Sequence, residues 1–184
     1  MSTLSVDNFQ GLTSNVISLS SSQILYAPGH VIQVATAYKT DTQTISAGAT
    51  FVDITGLSVV ITPRKTNSKF LIHWSVSMGN GTDASHGYVR IDRNGTIIGN
   101  ADASSNRTPA VGTIVNTSIG GQSIPSTGFY LDSPATLSEI TYKLKTKSNE
   151  AGSTTYINRS LRDNDASGYD GRGTSSLVVM EIAQ

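Results

Sequence analysis

The stretch KFLIHWSVS at residues 69–77 decides the fold class of this chain. Bulky apolar residues occupy every second position of one register, namely Phe70, Ile72, Trp74 and Val76. Because successive side chains of a β-strand point to opposite faces, this strand has one strongly apolar face. Residues 88–92 and 140–145 alternate similarly, and no apolar run has the 3.6-residue spacing of an amphipathic helix. We therefore predict an all-β fold in which two antiparallel sheets pack face to face, as in a β-sandwich or jelly roll.

The composition is that of a neutral protein with a hydroxyl-rich surface. Charged residues make up 14% of the 184 positions, well below the roughly 25% of ordinary domains. Serine and threonine fill 48 positions instead, a pattern common in extracellular modules and virion parts. The net charge of zero argues against a nucleic-acid partner. No stretch approaches 18 apolar residues, so we expect no membrane insertion.

One short basic run interrupts this neutrality. Lys143, Lys145 and Lys147 share one face of a predicted strand. We interpret them as the solvated face of an edge strand, because charged edge positions oppose unwanted strand pairing.

The first 28 residues differ from the rest and predict a separate unit. Leu4, Val6, Phe9 and Leu12 are scattered through serine, asparagine and glutamine, too sparsely to form a core. We expect residues 1–28 to be a short extended N-terminal arm that lies along a partner surface, the alternative being a frayed arm. Residues 29–184 would then form the β-sandwich knob. The start of the chain lacks the basic and apolar regions of a secretory signal, and without cysteine no disulfides are possible.

Strand-length apolar runs follow one another through the knob region. Strands are predicted at 31–38, 51–54, 57–61, 69–77, 86–93, 96–98, 129–131, 139–147, 154–158 and 176–182. Asn94-Gly95 is the strongest hairpin signal, since both residues tolerate positive φ. Residues 100–127 are predicted to be a long loop with one or two weak strands. About ten strands with turns every 8–12 residues indicate a sandwich or jelly roll.

A loop at residues 163–171 partly matches a calcium-binding pattern. Asp163, Asp165 and Ser167 stand at alternate positions, and Gly168 follows where the calcium loop needs a sharp turn. The twelfth position, however, is Thr174 instead of a bidentate glutamate, and no helices flank the loop. These departures favour an exposed Asx-turn loop over a calcium site. We expect no other metal site.

No arrangement of residues predicts catalysis. His30, His73 and His86 are far apart, without metal-ligand spacing. The chain has no G-x-S-x-G elbow and no Ser/His/Asp pattern, and its acidic residues lie mostly in turns. We therefore expect a protein without enzymatic activity and without a cofactor.

Tyrosines with polar neighbours are the best candidates for surface recognition, because tyrosine combines an apolar ring with a polar tip. Tyr142 and Tyr156 are predicted to be core residues. The receptor-binding candidates are Tyr88 and Arg90 on a predicted strand, and Tyr169, Asp170 and Arg172 in a loop.

Six stretches distributed along the chain carry a family resemblance. They are residues 1–7 (MSTLSVD), 28–34 (PGHVIQV), 51–59 (FVDITGLSV), 131–136 (LDSPAT), 157–160 (INRS) and 171–177 (GRGTSSL). Together they resemble a structural-protein domain of tailed bacteriophages, including phages of cyanobacteria and marine bacteria. The resemblance implies a virion structural protein of the tail-fibre, head-fibre or decoration type. It also implies synthesis in the host cytoplasm, a place on the particle exterior, and a homotrimer anchored through its N-terminal segment.

From the residues and the resemblance together, we expect a short fibre or knob that contributes to host-surface adhesion. Its partners would be further copies of itself, other virion proteins bound through Leu4, Val6, Phe9 and Leu12, and a host cell-surface glycan or protein. One alternative is a capsid decoration or cement protein that stabilises the head. Another is a free carbohydrate-binding module.

Overall fold

A computed structural model describes residues 25–80, 86–115, 120–149, 151–166 and 168–184. In these ranges the chain forms eleven strands, and no helix long and apolar enough to span a bilayer occurs there. The strands are β1 (Val31–Lys39), β2 (Gln43–Ile45), β3 (Val52–Ile61), β4 (Lys69–Asn80), β5 (His86–Arg93), β6 (Thr96–Ile98), β7 (Gly112–Val115), β8 (Ile124–Asp132), β9 (Ile140–Ser148), β10 (Thr155–Ile157) and β11 (Ser175–Ile182). The predicted all-β class is confirmed.

The strands form two antiparallel sheets. In sheet A, β4 pairs with β8 along one edge and with β11 and β10 along the other. The outer neighbours are β1, which pairs with β11, and β2, which pairs with β10. In sheet B, β9 lies between β3 and β5, and β5 pairs at its far edge with β7 and β6. The two sheets pack as the predicted sandwich.

The core lies between the sheets, where the alternating apolar residues meet. Phe70, Ile72 and Trp74 of β4 are at most 2% exposed, as the period of two predicts. Sheet B contributes side chains such as Tyr142 and Leu144 from β9. Full burial of one such large side chain contributes about 1.5–3 kcal/mol, so these strand faces hold the two sheets together.

One predicted strand pair is a single strand with a bulge. Residues 51–54 and 57–61 were expected to be separate, but both belong to β3. Four residues of β3 (54–57) lie opposite the single residue Leu144 of β9. Gly56, with φ of 85°, allows the sharp bend, and the bulge turns both Ile54 and Leu57 into the core. The prediction was wrong because a strict period of two cannot show such an insertion.

Two other predictions were also wrong, because each depended on which strands lie beside the predicted one. The strand expected at 129–131 extends over Ile124–Asp132, although Pro125 and Gly128 argue against a strand. Because β8 pairs in the described chain with β4 alone, it can accommodate proline as an edge strand does. The lysine-bearing strand β9 is central in sheet B and not an edge strand. Central position is a property of the sheet, so the lysine pattern could not reveal it.

A polar link joins the two sheets at one end of the core. Asp132 of β8 accepts two hydrogen bonds from Arg93 Nη1, at 2.7 and 3.0 Å, and one from the Tyr142 hydroxyl at 2.7 Å. Burial and the neighbouring Asp132 raise the pKa of Tyr142. The predicted core position of Tyr142 is confirmed, whereas Tyr156 is half-buried under the guanidinium of Arg159, 4.2 Å away.

Candidate functional site

The outer face of sheet A is apolar across four strands. Leu131 of β8 lies opposite Leu71 of β4, and Leu71 lies opposite Met180 of β11. Met180 in turn lies opposite Val34 of β1. The next two rows are Phe129, His73, Val178 and Thr36, and then Thr127, Ser75, Ser176 and Tyr38. These twelve positions are called the apolar face below.

The apolar face is unusual for a surface exposed to water. It contains no aspartate, glutamate, lysine or arginine, and Phe129, Tyr38 and Val34 are 74, 66 and 53% exposed. Four strands and three rows cover an area of the order of 400 Å² in projection, in which seven of the twelve side chains are apolar or aromatic and five are serine, threonine or histidine. Apolar patches of about 300–600 Å² are the largest that monomers usually expose, and they often mark interaction sites.

The outer face of sheet B is charged instead. Lys143, Lys145 and Lys147 of β9 all point to this face. Asp53 of β3 accepts hydrogen bonds from Lys145 and Lys143, and the bond from Lys145 contributes most to the lowered pKa of Asp53. Lys145 also lies 3.9 Å from Asp92 of β5. Two of the three lysines are thus neutralised by carboxylates on neighbouring strands.

Beside these ion pairs, cations and aromatic rings form a second group on the same face. The Arg90 guanidinium lies 3.9 Å from the centroid of the Phe51 ring. Lys147 Nζ lies 5.3 Å from Phe51 and 5.4 Å from Tyr88, whose ring stacks on His86 at 6.3 Å. Phe51, His86, Tyr88, Arg90 and Lys147 are called the basic–aromatic cluster below. The predicted pair Tyr88 and Arg90 belongs to it.

The remaining predicted residues meet in the loop between β10 and β11. Asp170 accepts hydrogen bonds from Arg162 Nε and Nη2, from the Ser160 hydroxyl and from the amide nitrogen of Asn164. The Arg162 bonds are the main cause that lowers the pKa of Asp170 to about 2. The guanidinium of Arg162 also lies 5.7 Å from the ring centroid of Tyr169. Asp170 therefore holds the loop together, whereas Tyr169 is 70% exposed.

The same loop contains the calcium candidates. Asp163 is paired with Arg172 at 2.9 Å and with Arg159 at 3.5 Å. Asp165 is exposed, and Ser167 lies outside the described residues. Asp163 and Arg172 help to line an open depression of about 510 Å³. The carboxylate of Asp163 is thus engaged in ion pairs with two arginines. The described residues contain no group of three acidic, histidine or cysteine side chains suited to a metal.

The predicted surface residues therefore lie in two clusters, one on sheet B and one in the loop. The attachment candidates Leu4, Val6, Phe9 and Leu12 lie outside the described residues, so no contact tests them. The sequence patterns did not reveal the apolar face, nor that Phe51 and Lys147 belong to the basic–aromatic cluster. A signal for the apolar face was present, because residues 177–180 and 70–72 are apolar in both registers, which a strand with one solvated face does not need.

Comparisons with known proteins add little to this geometry. No known family model and no curated protein matches the chain. It overlaps VP2 of infectious bursal disease virus in its subviral particle with a TM-score of 0.42 and 12% identity, over 92% of this chain and 42% of that one. It overlaps a structure of the Gx strain of the same virus with a TM-score of 0.42 and 10% identity, over 91% of this chain and 46% of that one. The chain spans less than half the length of both structures, and similarity this low says nothing about function.

Proposed function

We propose that this protein is a structural component of a virus particle, a short knob of the tail-fibre or head-fibre type that contributes to adhesion. The contrast between the two outer faces of the sandwich is the observation that carries the proposal. The twelve positions of the apolar face include no charged residue, whereas the outer face of sheet B carries lysine, arginine and aspartate. A particle component needs such a division, with one face for assembly and another for the outside. The resemblance to tailed-bacteriophage structural proteins supplies the viral context.

A second copy of this chain is the proposed occupant of the apolar face. Two uncharged faces can meet without electrostatic repulsion, and the interfaces of homo-oligomers are more apolar than the average surface. A threefold assembly would bury the face and let weak single-site contacts to a host surface add up through avidity. The apolar face therefore supports the proposed homotrimer by supplying a surface for assembly.

The N-terminal segment is proposed to attach the knob to other virion proteins. Tyr26 donates a hydrogen bond to the Gln184 carbonyl oxygen, and the Gly29 amide donates to the Ala183 carbonyl oxygen. The chain thus joins the knob beside the Ile182 end of sheet A. An arm that contains Leu4, Val6, Phe9 and Leu12 would anchor the particle-facing end of the knob from this point.

The oligomeric state of the full chain tests the role of the apolar face. Light scattering after size exclusion at about 50 µM should give a trimer for the wild type, because association depends on concentration. Phe129→Glu places a charge in the middle row of the apolar face, at its most exposed side chain, and should give a monomer. Val60→Glu is the matched control, since Val60 is 53% exposed on the outer face of sheet B. A wild-type monomer, or equal dissociation by both variants, would refute the assembly role.

The place on the particle tests the function itself. A fibre or knob predicts few copies in an electron-microscopy map and loss of host adsorption when the protein is deleted. A decoration protein predicts many copies and a capsid that breaks more readily on heating. Purified particles of the parent virus that lack this protein would refute both.

A further inference from the structure

Two cations of the basic–aromatic cluster have no carboxylate partner among the described residues. Lys143 and Lys145 both donate to Asp53, and the described residues show an ion pair for each. Among the described residues, no carboxylate oxygen lies within 4 Å of a side-chain nitrogen of Lys147 or Arg90. Burial and the charge of Arg90 lower the pKa of Lys147, and burial lowers the pKa of Arg90. Two like charges held together at a partly buried position are unfavourable until an anion joins them.

The cluster is also arranged in advance of binding. Arg90 Nε donates to the Pro109 carbonyl oxygen at 2.9 Å, which fixes the guanidinium over Phe51. The two terminal nitrogens of the guanidinium have no acceptor among the described residues, and their planar fork suits a carboxylate. Because Arg90 and Lys147 stand on the central strands β5 and β9, the backbone holds both in place.

The number of unpaired cations limits the class of ligand. A nucleic-acid backbone needs a row of lysines or arginines, but Asp53 and Asp92 neutralise Lys143 and Lys145 on the same strand face. One anionic group remains as the match for Arg90 and Lys147. The ring of the neighbouring Tyr88 already contacts His86 and Lys147, and its phenolic hydroxyl adds a polar group beside the two cations that suits the hydroxyl groups of a sugar.

We propose that the basic–aromatic cluster binds an acidic saccharide, with one sugar carboxylate between Arg90 and Lys147 and a sugar hydroxyl at the Tyr88 hydroxyl. This names the ligand class for the proposed adhesion function and rests on that function. The other receptor-binding candidates, in the loop that contains Asp170, are not needed for it.

Binding of trigalacturonic acid to the full chain, measured by titration calorimetry at low salt, tests the inference. The fully methyl-esterified trisaccharide is the matched ligand without charge and should bind at least tenfold more weakly. Arg90→Gln and Lys147→Gln should each weaken binding of the acid at least tenfold. Lys143→Gln removes a paired lysine from the same face and should change the affinity less than twofold. Circular dichroism of each variant verifies that the fold is retained.

Each other outcome overturns the inference. Absence of binding at millimolar trigalacturonic acid, equal binding of acid and ester, or an equal loss with Lys143→Gln would contradict it. Inorganic phosphate that binds as tightly as the trisaccharide would show that the sugar ring contributes nothing. The association test with Phe129→Glu is independent, because Phe129 lies on the other sheet. A wild-type chain that is monomeric and still binds the acid would refute the assembly role alone.

Discussion

Removal of the Asp132 carboxylate should destabilise the sandwich more than any other single loss of a charged group described above. Asp132 is 4% exposed and links sheet A to Arg93 and Tyr142 of sheet B through three hydrogen bonds. Asp132→Ala leaves the fully buried Tyr142 hydroxyl without an acceptor, which costs about 1–3 kcal/mol. Breaking a buried ion pair costs about 3–5 kcal/mol, but the Arg93 side chain is 27% exposed and regains water. We therefore expect a total loss of about 3 kcal/mol.

This loss is measurable by urea denaturation followed by circular dichroism, at a fixed protein concentration in case the chain associates. For a chain of this length, about 3 kcal/mol corresponds to a fall in melting temperature of about 6–12 °C. Tyr142→Phe removes only one of the three bonds and should cost about 1 kcal/mol. The double variant should be no less stable than Asp132→Ala alone, because it lacks the orphaned hydroxyl.

Asp102→Ala is the control for the loss of an aspartate. Asp102 is exposed, so its replacement should change the free energy of unfolding by less than about 0.5 kcal/mol. If Asp132→Ala were as stable as Asp102→Ala, the three bonds would contribute nothing net, and the polar link would not hold the sheets together.

Two further predictions concern packing and pH. Gly128→Ala would place a Cβ 2.4 Å from a ring atom of Trp74 and should lower the free energy of unfolding, measured in urea, by about 1–3 kcal/mol. Gly171→Ala is the control, because a Cβ there would meet nothing within 4 Å, and it should leave the stability unchanged. Equal effects of the two substitutions would contradict the packing argument. Hydrogen bonds from Arg162 lower the pKa of Asp170 to about 2, so the stabilisation by this carboxylate is full above about pH 4 and is lost as the pH falls toward 2. Asp170→Asn should therefore flatten the fall in melting temperature between pH 5 and 2, while Asp165→Asn, at an exposed position, should leave the slope of the wild type.

Local sequence patterns correctly predicted the elements whose conformation depends least on the strands beside them. The alternation at 69–77 correctly placed Trp74 inside the sandwich, and Asn94-Gly95 correctly marked the turn between β5 and β6. Both follow from the chain itself, since side-chain direction in a strand and positive φ in a turn are local properties. The β3 bulge and the full length of β8 could not be predicted, because each depends on the strand that lies beside it.

The residues of the candidate site also fall into those that local sequence patterns predicted and those that only strand pairing brings together. Tyr88 and Arg90 were found by sequence because they share one strand face and combine an aromatic with a cation. Phe51 and Lys147 were missed because Phe51 directly precedes β3 and Lys147 lies on β9, and only the pairing of β3, β9 and β5 brings them beside Tyr88 and Arg90. The ion pairs of Asp163 with Arg159 and Arg172 were missed because an irregular loop has no periodic pattern that predicts which of its side chains meet.

The amino-acid sequence by itself determined that this protein consists of strands, that its core is apolar, and that its overall charge is balanced. These properties depend on residue type and on a period of two, which any single strand displays. Only the tertiary structure decided that a cluster of charged side chains lies on the outer face of one sheet and the uncharged apolar face on the other. Strand order and register bring residues distant in sequence into the same row, and no local pattern contains that information.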